Sequence, residues 1–351
     1  MSLLALVGCA ALADTDPLDP LALRTQGPDG LTRVLEARAE FDSDEEWKTA
    51  VDEVAAQRGA WRSQLYWHTD LDEALARAEA EDKKVLSLRM LGELTEEHSC
   101  ANSRLFRTVL YTHPGVREEL GENWVLHWSS ERPAPRVEID MGDGRVLTRT
   151  ITGNSIHYAL DAKGRLIDAL PALWTPEAFT AALVGARMGE PVDSPAPELT
   201  EKALSADQPV VTLAEVPMQL TVGKMMIEQP MLEGMGFRAP APNPVDDGEW
   251  QAAAQPFTLH DQARAVLAEE NPGADIDAMA ARLAADVALD SIRNEAWLRP
   301  RIRAGMGTYT ELESLNRWVY DSVFLTRADD PWLGLVDDTV YTGLDGGGFR
   351  G

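Results

Sequence analysis

Val85-Leu86-Ser87-Leu88-Arg89-Met90-Leu91, then the polar run Gly92–Ser99, then Cys100-Ala101-Asn102-Ser103 is the stretch on which the reading of this chain turns. A short, largely apolar run closed by a glycine predicts a buried strand. Helical spacing from Cys100 to Tyr111 predicts a helix whose first turn holds Cys100. The free N–H groups and dipole of a helix N-terminus favour a thiolate, which makes Cys100 a candidate nucleophile. Glu96 and Glu97 just upstream act against that charge.

Working outward, Leu71, Ala74, Leu75 and Ala78 fall on one helical face over Leu71–Glu81, with Lys83 and Lys84 at its C-terminal end. Before it, Leu65 and Trp67 suggest a strand around Trp61–Trp67, and Leu31–Phe41 and Asp44–Gln57 suggest two helices, the second capped by Ser43 or Asp44. After the Cys100 helix, Pro114 opens a helical piece over Val116–Leu120 and Trp124–Trp128 reads as a strand. Two hairpins follow, Val137–Asp140 with Arg145–Thr148, and Ser155–Leu160 with Arg165–Leu170. Thr175-Pro176-Glu177 caps a last helix, Ala178–Met188. Strand, helix, strand, helix, strand, hairpin, helix describes an α/β unit with a central mixed sheet and helices on both faces.

This ordered set resembles the thioredoxin-like domains of exported bacterial proteins. The resemblance rests on Trp67-His68-Thr69-Asp70-Leu71-Asp72-Glu73-Ala74-Leu75, Asp82-Lys83-Lys84-Val85-Leu86, the cysteine that opens a helix, Asn123-Trp124-Val125-Leu126, and Leu160-Asp161-Ala162-Lys163-Gly164-Arg165-Leu166. It covers about a third of the chain, from Leu65 to Met188. It implies a thioredoxin-like mixed sheet, with Cys100 as nucleophile, Ser103 as hydrogen-bond donor to the thiolate and His98 as proton acceptor. Asn154, Ser155 and Ile156 would form the facing segment that binds a substrate or partner. Two departures stand out. The family's C-x-x-C is Cys100-Ala101-Asn102-Ser103 here, and its cis-proline is missing from Gly153-Asn154-Ser155-Ile156. Without a resolving thiol, dithiol exchange cannot finish within the chain. The resemblance therefore leaves two functions open. One is a non-catalytic binding or scaffold module; the other is a monothiol thiol-disulfide oxidoreductase, with a protein partner or thiol substrate in either case.

Composition narrows the remaining classes. With 32 Lys and Arg against 58 Asp and Glu, the formal charge is −26, which disfavours nucleic acid as a partner. Met1–Ala13 has an apolar core and an A-x-A end at Ala11-Leu12-Ala13, while Leu6-Val7-Gly8-Cys9 resembles a lipobox. Export to the periplasm or the envelope is expected, either by cleavage after Ala13 or with a lipid on Cys9 as the membrane contact. Cys100 is then the lone thiol, so an intramolecular disulfide is not expected. His98, Cys100, His127 and His157 invite a metal reading, and Met225, Met226, Met231 and Met235 a copper reading; the spacing supports neither, so no metal and no cofactor are expected. No G-x-S-x-G or P-loop motif occurs.

The expected organisation is a leader over 1–13, a linker and helical lead over 14–60, and the thioredoxin-like domain over 61–189. A linker and irregular segment over 190–257 then leads to a mainly helical C-terminal region over 258–351. In that region Leu259–Glu269, Ile276–Val287 running on towards Trp297, and Glu311–Thr326 carry helical patterns.

Overall fold

Side-chain caps account for most of the helix starts. The computed structural model describes residues 17–150, 154–190, 247–254, 257–324, 326, 327 and 329. The expected leader and the methionine-rich run lie outside the described residues. Asp19 caps α1 (Pro20–Arg24), and Ser43 caps α3 (Asp44–Ala55) by accepting the Glu46 N–H at 3.1 Å. Between them α2 (Pro28–Glu36) begins at its proline, ahead of the expected Leu31. Leu23, Val34, Trp47, Val51 and Val54 close a small core of their own, in which the Trp47 indole donates to the Val34 carbonyl at 2.9 Å.

The strand expected around Trp61–Trp67 is shorter than its pattern. Ala60–Ser63 is a helical turn, α4, and only Trp67–His68 forms strand β1. Gln64 ends the turn in a left-handed conformation, so alternation begins only after it. Asp70 then caps α5 (Leu71–Glu81), which buries Ala74 and Ala78.

Strand β2 (Lys84–Leu91) lies at the centre of the five-stranded mixed sheet. It pairs in parallel with β3 (Trp124–Arg132), which also takes β1, and antiparallel with β6 (Ser155–Leu160), which in turn takes β7 (Leu166–Pro171). The resulting order is β1-β3-β2-β6-β7. The first expected hairpin does form, as β4 (Arg136–Asp140) and β5 (Val146–Thr150), but as a separate two-stranded sheet. Its strands are mostly exposed or half-buried, so nothing draws it into the main sheet. The second hairpin turns at Asp161, whose Oδ1 accepts the N–H groups of Lys163 and Arg165 at 2.9 Å each.

Both faces of the sheet are covered by helices. On one, His157 meets Tyr111, Phe106 and Phe179, the last from α8 (Pro176–Met188), which Thr175 caps. Ser87, Arg89 and Tyr158 are on the other. There Tyr158 donates to Asn316 at 3.3 Å and Arg89 to Glu313 at 2.5 Å, both in a C-terminal helix.

The C-terminal part is mainly helical: α9 (Asp247–Ala253), α10 (Asp261–Glu270), α11 (Ile276–Arg293), α12 (Arg299–Met306) and α13 (Leu312–Trp318). π-helical turns at Asn294–Leu298 and Val319–Val323 interrupt the longer helices expected from the pattern. Leu315, Val319, Val323 and Phe324 face inward as their spacing predicts. The strongest anchor to the sheet is Asp168 on β7, fully buried and paired with Arg299 and with Arg303 at 2.9 Å. Burial would raise its pKa, but the hydrogen bonds and charges of the two arginines win and hold it below the usual carboxylate range. Among the described residues no helix is long and apolar enough to cross a membrane.

Candidate functional site

Gly92 ends β2 and starts the loop towards Cys100. Its φ of +71° and its closeness to Ser99 Cα and Ala134 Cβ, 3.1 and 3.2 Å from where a Cβ would stand, demand glycine. The loop returns so that the Cys100 N–H donates to the Leu91 carbonyl at 3.1 Å. Cys100 is thus the N-cap of α6 (Ala101–Leu105), one position outside the first turn in which it was expected. A π-helical turn, Phe106–Leu110, carries the chain onward to Tyr111. From there α7 (Pro114–Asn123) leads into β3, longer than the expected Val116–Leu120.

Cys100 is 0% exposed and belongs to the same apolar core as Ile156, Tyr320 and Phe324. Its sulfur accepts the Ser103 N–H at 3.4 Å. The Ser103 hydroxyl lies 2.8 Å from both Ser99 Oγ and the Cys100 carbonyl oxygen, so it serves oxygen acceptors and not the thiol. His98 is half-buried and lines a cleft that Cys100 does not reach. The three side chains expected to work together are therefore close in sequence without forming a nucleophile–base pair.

The expected facing segment is brought to this place and is closed over. Asn154 donates to the Phe324 carbonyl and to Thr326 Oγ1, each at 3.2 Å. Ser155 Oγ accepts from Asn102 Nδ2 at 3.1 Å, and its carbonyl accepts the Ala172 N–H at 2.8 Å. Ile156 is fully buried between Arg89 and Pro171 in the strand register. Phe324 and Thr326 thus accept the Nδ2 donors of Asn154. No cis peptide bond is present among the described residues.

The neighbouring groups are also desolvated. Burial pushes Tyr111 and Tyr320 well above the ordinary phenol value. Burial, then repulsion from Arg58 and Arg104, lowers Arg107 to about 10. Among the described residues no group of three His, Cys, Asp or Glu side chains could hold a metal ion. His127 bonds Ser87 at 2.9 Å on one sheet face and His157 bonds Tyr111 at 2.7 Å on the other. Burial lowers both histidines to about 3, which suits neutral core side chains.

The sequence reading missed the cleft itself, about 830 Å³, which opens beside α6. Arg58, Arg62, Arg104 and Arg107 all line it. Arg104 and Arg107, three residues apart, lie on one side of a helical segment, a signal available in the sequence, whereas Arg58 lies in the turn before α4. No known protein-family model matches the chain, and no curated protein matches it either.

Proposed function

We propose that this chain is a catalytically silent thioredoxin-like module of the cell envelope, a binding or scaffold protein. The observation that carries this reading is the complete burial of Cys100, with Ser103 in place of a second thiol. A thiol attacks a disulfide only if the sulfur can be reached, since the mixed disulfide forms by direct approach to it. Here the core closes over the sulfur, and Phe324 and Thr326 accept from the Asn154 amide nitrogen. The thioredoxin-like part of the reading is supported by the mixed sheet with helices on both faces, the cysteine-capped helix after the central strand, and the closing hairpin that turns at Asp161. Export is supported by the leader-like Met1–Ala13. The test is glutathione-coupled reduction of a model peptide disulfide by the full chain and by Cys100→Ser. Both proteins stay at the uncatalysed rate if the module is silent. A rate above background that Cys100→Ser abolishes would establish the monothiol oxidoreductase instead.

A further inference from the structure

Acidic residues outnumber basic ones by 58 to 32 in this chain, yet six arginines line the cleft beside α6. Arg58 and Arg62 come from the α3–α4 region, Arg104 and Arg107 from α6 and its π-helical turn, Arg149 from β5 and Arg282 from α11. Among the described residues, three acids share the lining: Glu97, Glu270 and Asp286. Several of these arginines already have partners, and Arg104 donates to Thr150 Oγ1 at 2.8 Å. Arg58 meets Glu97 at 3.7 Å with both side chains well exposed, and Arg62 meets Glu269 at 3.0 Å and Glu270 at 3.7 Å. Asp286 stands 4.0 Å from Arg282, and burial raises its carboxyl, which weakens its hold on the negative charge.

The wall of the cleft is built, not merely a patch of surface charge. The Arg107 side chain is buried and donates to the Leu94 carbonyl at 3.2 Å and to Ser99 Oγ at 3.1 Å, both uncharged acceptors. A desolvated guanidinium whose hydrogen bonds go to neutral acceptors is costly; the Asp52 carboxylate offsets part of that cost at longer range, and a bound anion would offset more. Beside it, Asn102 is 1% exposed; its Nδ2 is committed to Ser155, while its Oδ1 is buried with no hydrogen-bond partner. That oxygen awaits an N–H or O–H donor. The Nε of Arg62, on the same wall, is buried and without a partner too.

We propose that this cleft binds a small organic polyanion, with two or more carboxylate or phosphate groups held by the guanidinium groups of Arg58, Arg62 and Arg107, and a hydroxyl donated to Asn102 Oδ1. Guanidinium groups match both kinds of oxyanion with paired hydrogen bonds. A cleft of about 830 Å³ has the size of a small-molecule site. The surrounding acidic surface would repel nucleic acid, so a compact ligand fits better than a polymer. The site is separate from the buried thiol and does not depend on the thioredoxin-like reading.

Titration calorimetry on the full chain at low ionic strength, with citrate and pyrophosphate as probes, tests this. Saturable one-to-one binding of either probe, weakened by added sodium chloride, is expected. Tighter citrate would mark a carboxylate ligand and tighter pyrophosphate a phosphate ligand. Arg58→Glu and Arg149→Glu, both at exposed positions, should each weaken binding by about tenfold. Arg38→Glu, the same charge reversal outside the cleft, should leave it unchanged. The proposal is overturned if neither anion binds up to millimolar concentration, or if Arg38→Glu weakens binding as much as Arg58→Glu does.

Discussion

Cys100 and Arg107 sit two turns apart on one helical segment, but Cys100 ends in apolar core with a backbone N–H on its sulfur, whereas Arg107 reaches the wall of a cleft that five more arginines line. The inward side carries a potential nucleophile that nothing can approach. The outward side carries charges that an anion can reach. A reactive residue type at a helix start is therefore not a reactive site; access and neighbouring groups decide what it does.

The sharpest way to break this contrast is to loosen what covers the inward side. Asp168→Ala leaves Arg299, itself buried, without its carboxylate, and unpairing a buried charge of this kind costs about 3–5 kcal/mol. A matching fall in urea midpoint and faster alkylation of Cys100 are expected. Unchanged stability would mean that Asp168 does not anchor the C-terminal helices.

The second expected effect is on pH dependence. Burial lowers His157 and His127 to about 3 and His68 to about 4, from an ordinary 6.5. These histidines protonate readily in the unfolded chain and not in the folded one, so their contribution is present above 6.5 and is lost as pH falls through the folded values. Asp290 has the opposite sign. Burial raises it from 3.8 to about 7, so its contribution is full below 3.8 and is lost as pH rises through 7. Urea midpoints across pH should show His157→Gln flattening the acid limb and Asp290→Asn flattening the decline towards neutrality. A variant with the parent's profile would sink its assignment.

Smallest in stability but most selective is Glu270→Gln on the outward side. Its pair with Arg62 is half-exposed, so the change in stability should stay within about 1 kcal/mol. Pyrophosphate should bind more tightly once this competing carboxylate is gone, and weaker binding would contradict the electrostatic account of the cleft.

What could be read from the sequence was whatever is decided locally. The apolar run of β2, the caps Ser43 and Thr175, the helix over Leu71–Glu81 and the Asp161 turn are set by neighbours a few residues away, and all appear where expected. Strand β1 was misjudged because two residues hold it through register with Leu126 and His127, a partner far along the chain. The fate of Cys100 was hidden for the same reason. Its surroundings include Tyr320, and Asn154 donates to Phe324 and Thr326, more than 150 residues further on. The cleft joins Arg58 to Arg282, and only its short-range helical pair, Arg104 with Arg107, left a trace in the pattern.

The most direct test is the alkylation rate of Cys100 by iodoacetamide, in a Cys9→Ser background that leaves it the only thiol. With Cys100 sealed in the core, the native protein should react far more slowly than a free cysteine, and the rate should climb only as urea unfolds the chain. Alkylation in the absence of urea as fast as that of a small-molecule thiol would contradict the account and return Cys100 to the role of nucleophile.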